Sequence, residues 1–411
     1  MSLVQIEPIE DGTITFVPGF QAAGVACGLK KTGALDLALL YSPHRCVGAA
    51  LFTTNAFKAA PVVYDQRLIC DNPEGLRALV INSGCANACT GEQGMRDAQA
   101  TADALAELMG LDPDGVLLMS TGVIGQLLPM DKICRGLQMA AQSIAPTLDA
   151  GHDAARAIMT TDTRPKEAAV RVRMAGSEYA IAGMAKGAGM IHPNMATMLS
   201  VIVTDVAITA GLAQKALSEA TEQSFNMITV DGDMSTNDTV LLLANGQADM
   251  PLIVDEDSEA YRGFLQALTH LATALAQGLV RDGEGATRFI EVVVEGARSR
   301  AEAKQVAMSV AKSSLVKTAI YGQDANWGRI VCAVGYSGVD IIAERVRVWL
   351  DELELVRDGG PYHIDEERAS EILAQPDIPI RIDLGMGERT ATVWTSDLSH
   401  DYVSINAHYR T

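Results

Sequence analysis

Apolar positions along the chain follow two periods. Short runs rich in Val, Ile, Leu and Thr recur at 78–81, 116–119, 200–206, 239–244, 288–294, 380–384 and 389–395, and they predict strands. Between them, Ala and Leu at spacings of three and four residues predict helices over 99–109, 149–161, 212–225, 259–279 and 299–320. Segments 170–174 and 179–184 alternate about Gly176-Ser177 and predict a hairpin. Residues 19–24 read as a loop leading to a strand at 35–40; 49–55 and 331–334 read as further strands. Strands and helices interleave throughout, so the class is α/β or α+β. No internal repeat, low-complexity stretch or Pro/Ser-rich linker divides the chain, and its two halves are expected to share one intertwined core.

Where the strands stop, the residues become small and polar. The run ending at Ile81 gives way to Asn82-Ser83-Gly84, and the run ending at Met119 gives way to Ser120-Thr121-Gly122. Either can be a plain strand-to-loop turn. Near the midpoint stands Lys186-Gly187-Ala188-Gly189-Met190-Ile191-His192-Pro193-Asn194-Met195-Ala196-Thr197-Met198-Leu199. Its first half carries turn residues and its second half becomes a β-type run. Thr197 therefore stands where a loop enters a strand, which fixes a nucleophile while leaving space before it. A lone threonine there is more simply an ordinary strand residue. Hydroxyl residues around Asp162 read as turn bonding. The acidic stretch 230–238 suggests a calcium loop, but the closing Glu of an EF-hand is missing, so a polar turn is preferred, with proximity to an active site left open. Glu284, flanked by glycines, reads as a solvated turn charge.

Composition narrows the classes. The 411 residues are 48% hydrophobic with a mean hydropathy of +0.13, enough for a large core in one or more domains. A net charge of −19 argues against nucleic acid and against anionic membrane surfaces. Neither a secretory signal nor a membrane-length apolar run is visible. Seven scattered cysteines suggest reduced thiols and a cytoplasmic setting. Cys85 and Cys89 form the only close pair, and without further ligands they read as packing residues rather than a metal site.

The central window closely resembles the cleavage and nucleophile motif of the ornithine acetyltransferase family, also called bifunctional glutamate N-acetyltransferase or ArgJ family. About a dozen positions match in order. The likeness extends through Ser120-Thr121-Gly122-Val123-Ile124-Gly125, Gly283-Glu284-Gly285-Ala286-Thr287, Asn326-Trp327-Gly328-Arg329 and Asp397-Leu398-Ser399-His400-Asp401-Tyr402, and so spans the chain. It implies a DmpA/ArgJ-like fold, a layered sandwich of sheets between helices, built by both products of self-cleavage. Those products would be an alpha chain, 1–196, and a beta chain, 197–411. The resemblance further implies Thr197 as nucleophile, Ala196–Thr197 as the cleaved bond, and Thr121 and Gly122 as the oxyanion hole. Thr160, Lys186, Thr197, Glu284, Asn406 and Thr411 would bind substrate. The Asn-Trp-Gly-Arg segment is expected to shape the site structurally.

The activity so implied moves an acetyl group from N-acetylornithine to glutamate, within the cyclic route of arginine biosynthesis. A new N-terminal threonine could use its own α-amine, of pKa about 7.7–8.0 when unperturbed, as the base for its hydroxyl. No cofactor is expected, and the seven dispersed histidines, with no His-x-x-x-His or His-Glu-x-x-His spacing, argue against a catalytic metal; acetyl-CoA is left open as a second donor. No site for a pantetheine or nucleotide is legible. The partners would be the two small substrates and the two cleaved chains, as a heterotetramer of two of each. Two rivals stand beside this reading: an N-terminal-nucleophile amidase or aminopeptidase of the same fold, and a ligand-binding protein in which the motif is only a turn.

Overall fold

The structure, a computed structural model, describes residues 4–174, 176–192, 198–363 and 365–408. Among these, the first sheet holds nine strands: β1 (Gln5–Pro8), β2 (Gln21–Val25), β3 (Leu37–Phe52), β4 (Leu76–Cys85), β5 (Val116–Val123), β6 (Lys166–Met174), β7 (Ser177–Lys186), β8 (Leu199–Thr204) and β9 (Thr239–Ala244). Their spatial order is β1-β6-β7-β8-β9-β3-β4-β5, with β2 paired to β3 off this path. A second sheet holds β10 (Phe289–Ala297), β11 (Arg347–Leu350), β12 (Leu353–Arg357), β13 (Gly360–Pro361), β14 (Asp377–Asp383) and β15 (Arg389–Ser396), in the order β13-β12-β11-β14-β10-β15. The helices are α1 (Ala60–Asp71), α2 (Gly91–Met109), α3 (Met130–Ser143), α4 (Leu148–Ala157), α5 (Ala210–Gln223), α6 (Glu259–Arg281), α7 (Arg300–Lys312), α8 (Ser314–Tyr321), α9 (Trp327–Gly335), α10 (Glu366–Leu373) and α11 (His400–His408).

The central strands read as continuous apolar runs because both their faces are covered. Along β9, Val240, Leu242 and Ala244 join a core that includes Leu271 and Leu275 of α6. The alternate residues Leu241 and Leu243 join a second core with Leu105 of α2 and Leu137 of α3. On β8 the division repeats, Ile202 to the first core and Val201 and Val203 to the second. Helices α5 and α6 thus cover one face and α1 to α4 the other. Strands β8 and β9, which follow residue 197, lie between β7 and β3, which precede it. The observed class is the expected one, mixed α/β in layered sheets.

Four local expectations are corrected. Residues 35–40 and 49–55 are not two strands but parts of β3, whose register shifts between Tyr41 and Cys46, so that its first half pairs with β4 and its second with β9. The 19–24 loop contains β2, paired with β3 through Gln21↔Tyr41 to Val25↔Leu37. The helix expected over 299–320 breaks at Ser313, whose hydroxyl accepts the Val316 amide and starts a new helix. The strand expected at 331–334 belongs to α9, where the Asn326 side chain caps the first turn and Ile330, Ala333 and Val334 are buried at helical spacing. Of the two close cysteines, Cys85 is buried and Cys89 exposed.

Candidate active site

Strand β5 runs parallel to β4 with Ser83 opposite Thr121 and Gly84 opposite Gly122. Gly122 has φ +132°, and a Cβ there would lie 2.3 Å from the Gly84 carbonyl carbon, so only glycine fits. Thr121 is buried beside it. Lys186 ends β7 and is 2% exposed, with its ammonium donating to Thr121 Oγ1 at 3.2 Å. Burial pushes the Lys186 pKa down, against the charges of Asp162, Asp238 and Glu284.

Glu284 approaches from the second sheet, on the loop that enters β10. Its amide donates to the Ala188 carbonyl at 2.8 Å. Its carboxylate rests directly on Gly189, where a Cβ would come within 2.4 Å of Oε2. Asn406 of α11 donates to Glu284 Oε2 at 2.8 Å. That helix is held by Ser399, which donates to the Gly285 carbonyl at 2.6 Å, and by Tyr402, which donates to Asp231 Oδ2 at 3.2 Å. Helix α11 is thereby anchored through His408. Thr160 lies just beyond α4, its amide bonded to Asp162 Oδ2 at 2.8 Å.

These residues share one cavity of about 110 Å³, lined by Thr121, Gly122, Thr160, Lys186, Glu284 and Asn406 among others. Six of the nine residues expected at the site thus converge from five separate segments. The other three, Ala196, Thr197 and Thr411, lie outside the described residues. The chain resumes at Met198, whose amide donates to Asp238 Oδ1 at 3.1 Å. A larger cleft of about 1040 Å³ runs between α5 and α7 and contains none of the expected residues, so volume alone would mislocate the site.

The structure adds residues that sequence reasoning missed. Ser235, Thr236 and Asn237, read as a polar turn, line the cavity. Asn237 donates to the carbonyls of Ala86 and Ser120, both at 2.7 Å, and so fixes the strand ends on either side. Asp231 accepts the amides of Met190 and Ile191 and shapes the loop after Gly189. Burial raises the Asp231 pKa and raises that of the fully buried Asp238 further. The density of Asp, Ser and Asn in 231–238 was the available signal. Among the described residues, no three His, Cys, Asp or Glu side chains are grouped as a metal ion requires.

A model of the ArgJ family matches residues 21–411. The chain belongs to the ArgJ family. These are the ornithine acetyltransferase and glutamate N-acetyltransferase enzymes of arginine biosynthesis, and the chain is an enzyme of that kind. It is 50% identical over 402 residues to the arginine biosynthesis bifunctional protein ArgJ of Symbiobacterium thermophilum, covering 97% of this chain and 99% of that one. The ArgJ of Dehalococcoides mccartyi is 48% identical over 410 residues, covering 99% of each. The solved ArgJ chain of Bacillus halodurans is 44% identical with a TM-score of 0.50; it matches 52% of this chain and 100% of its own length. Among the described residues of this ArgJ-family chain, no helix is long and apolar enough to cross a membrane.

Proposed function

We propose that this ArgJ-family chain cleaves itself between Ala196 and Thr197 and then carries the acetyl group of N2-acetyl-L-ornithine on Thr197 to L-glutamate. The observation that carries the reading is the convergence of a buried lysine, a Thr-Gly strand end and a carboxylate in one small cavity. In cleavage, the Thr197 hydroxyl attacks the Ala196 carbonyl, the acyl group shifts from nitrogen to oxygen, and water releases the ester. The freed α-amine then takes the proton of its own hydroxyl. That hydroxyl attacks the acetamide carbonyl, the C–N bond breaks, and ornithine leaves with the proton on its amine. The amine of glutamate attacks the resulting ester and restores the threonine. The backbone at Gly122 and the Thr121 hydroxyl would face the two oxyanions; such donors are typically worth ~10²–10³ in rate each. Glu284 would meet the distal ammonium of ornithine, which glutamate lacks, with Thr160, Asn406 and Thr411 completing the contacts.

Two observations support cleavage. Strands β8 and β9 lie inside a sheet completed by residues before 197, so fragments of 196 and 215 residues would stay joined by a common core. The fully matched Bacillus chain corresponds to 52% of 411 residues, about 214, the length expected of the fragment that starts at Thr197. The proposal extends to a heterotetramer of two alpha and two beta chains acting in the cytoplasm, to transfer without a cofactor, and to acetyl-CoA as a second donor of the same acetyl-enzyme.

Intact-mass analysis of the purified protein tests the core of this reading. The wild type is expected as two chains, and Thr197→Ala as one chain of 43.6 kDa. N-acetylornithine alone should add one acetyl group to the 197–411 chain, and glutamate should remove it. An intact wild-type chain, or an acetyl-enzyme lost to water at the same rate without glutamate, would overturn it in favour of a binding protein or an amidase. Acetyl-CoA in place of N-acetylornithine, followed by the same mass measurement, tests the second donor.

A further inference from the structure

Thr160, Lys186 and Glu284 come from segments far apart in sequence, yet all three adjoin one buried cluster of charges: Thr160 and Glu284 lie two residues from a member of it, and Lys186 precedes Gly187, which hydrogen-bonds to it. Asp162, Lys166 and Asp282 are 8%, 5% and 5% exposed. Lys166, the first residue of β6, pairs with both Asp162 and Asp282 and reaches the Gly187 carbonyl at 3.3 Å. Asp162 Oδ1 accepts the Gly187 amide at 2.7 Å, and its Oδ2 accepts the Thr160 amide at 2.8 Å. Asp282 accepts the Thr163 amide at 3.1 Å and the Thr163 hydroxyl. Gly187 follows Lys186 directly, and Asp282 precedes Glu284 by two residues.

We propose that Asp162 is a positioning residue of this site. Its carboxylate ties the Thr160 turn, the end of β7 at Lys186 and, through Lys166 and Asp282, the Glu284 loop into one unit, and it supplies the negative charge that Lys186 lacks. This rests on the reading above, in which Thr160, Lys186 and Glu284 contact substrate.

Among the described residues the Lys186 ammonium bonds only the Thr121 hydroxyl and lies in no ion pair, although it is 2% exposed. A buried ammonium persists only where nearby negative charge compensates for lost hydration. Asp162, Asp238 and Glu284 favour the charged lysine, while Lys166 and Lys30 oppose it. Burial drives Asp238 toward its neutral form. Glu284 is half-buried and, in this reading, is committed to the substrate. Burial opposes the charge of Asp162 as well, but Lys186 and Lys166 outweigh it and hold that carboxyl well below the usual range. Asp162 is thus the ionised partner. Asparagine cannot replace it, because the partners at 162 are two amides, an ammonium and the Thr160 hydroxyl at 3.5 Å, all donating to it, and the Asn amide group would add two more donors.

The test uses the full-length, self-processed enzyme. For Asp162→Asn we expect cleavage to proceed and KM for N-acetylornithine to rise roughly tenfold, less than the loss of a charged partner in direct contact with substrate would give, because Asp162 acts through Lys186. Lysine acts here as the ammonium, so activity falls as pH rises through its pKa. Losing Asp162 lowers that pKa and moves the alkaline limb of kcat/KM to lower pH, by about one unit. Lys166→Met removes a like charge and moves the same limb to higher pH. Loosening of the fold does not give shifts of opposite sign. If the wild type is active and neither variant moves the limb, the assignment of Asp162 is overturned. If Asp162→Asn does not accumulate, Lys166→Met carries the test alone, and an unchanged limb there overturns it. A wild type that neither cleaves nor transfers acetyl would sink the reading of the site itself, whatever the variants do.

Discussion

The two sheets serve the cavity in different ways. The nine-stranded sheet supplies Thr121, Gly122 and Lys186 from the ends of β5 and β7, all on buried or half-buried backbone whose neighbours are fixed by ladder hydrogen bonds. The six-stranded sheet supplies Glu284 and Asn406 from outside its strands, one before β10 and one after β15. These ends meet because Phe289 pairs with Ser396 across the two strands. Glu284 is half-buried and Asn406 exposed. The contrast separates two jobs. In the proposed mechanism, the groups that would meet a developing charge sit on the ordered ends of sheet strands. The groups that, in the same proposal, would select the substrate's far end sit on segments that solvent reaches, where the proposed exchange of ornithine for glutamate would need access.

Substitutions can break or sharpen this division. The largest effect is expected at Gly122→Ala, where the new Cβ has no room against Gly84 and φ is unfavourable. The strand end must shift, and kcat should drop ~10²–10³-fold, as when an oxyanion donor is lost. A variant within threefold of wild type would show that the strand end is not rigid. Lys186→Met should come next, with kcat/KM down about 100-fold while the thermal midpoint holds or rises, because an apolar side chain replaces a buried charge. A fall in both together would mean that Lys186 stabilises the fold rather than the substrate.

On the other sheet, Glu284→Gln should lower kcat/KM for N-acetylornithine by about 30-fold or more, the equivalent of ~2 kcal/mol or above for a half-desolvated charge pair. Consumption of pre-formed acetyl-enzyme by glutamate should change far less, and single-turnover measurements of each half-reaction separate the two. Equal losses would place Glu284 with the strand-end group. Asn406→Ala should be mildest, about fivefold in KM, near the ~1 kcal/mol of one hydrogen bond. Self-cleavage should survive in both, which a denaturing gel reads directly.

Much of the fold was legible because its signals are local. The runs that became β8, β9, β14 and β15 are apolar and bounded by turn residues, and the hairpin of β6 and β7 is set by Gly176. Misreadings fell where a distant partner decided the outcome. The segment 331–334 looks like a strand in isolation, since four apolar residues carry no period; a cap from Asn326 and burial at helical spacing made it a helix. Strand β3 looked like two strands because its break between Tyr41 and Cys46 is a change of partner, visible only with β4 and β9 in place. Most of the site residues were found through motifs shared with the family, not through periodicity. Asp162 was noticed only for turn bonding, which it does perform for Thr160.

The sequence by itself determined the class of fold, the strand ends that break into Thr-Gly and Lys-Gly, and the family with its expected nucleophile, because each is written in contiguous residues. Only the tertiary structure decided that Thr121, Thr160, Lys186, Glu284 and Asn406 face one cavity, that residues 235–237 join them, and that Asp162, Lys166 and Asp282 form a buried cluster. Those facts depend on contacts between residues more than 100 positions apart, such as Asn406 with Glu284 and Asn237 with Ala86. No local propensity encodes such contacts, and they exist only once the sheets and helices have closed around them.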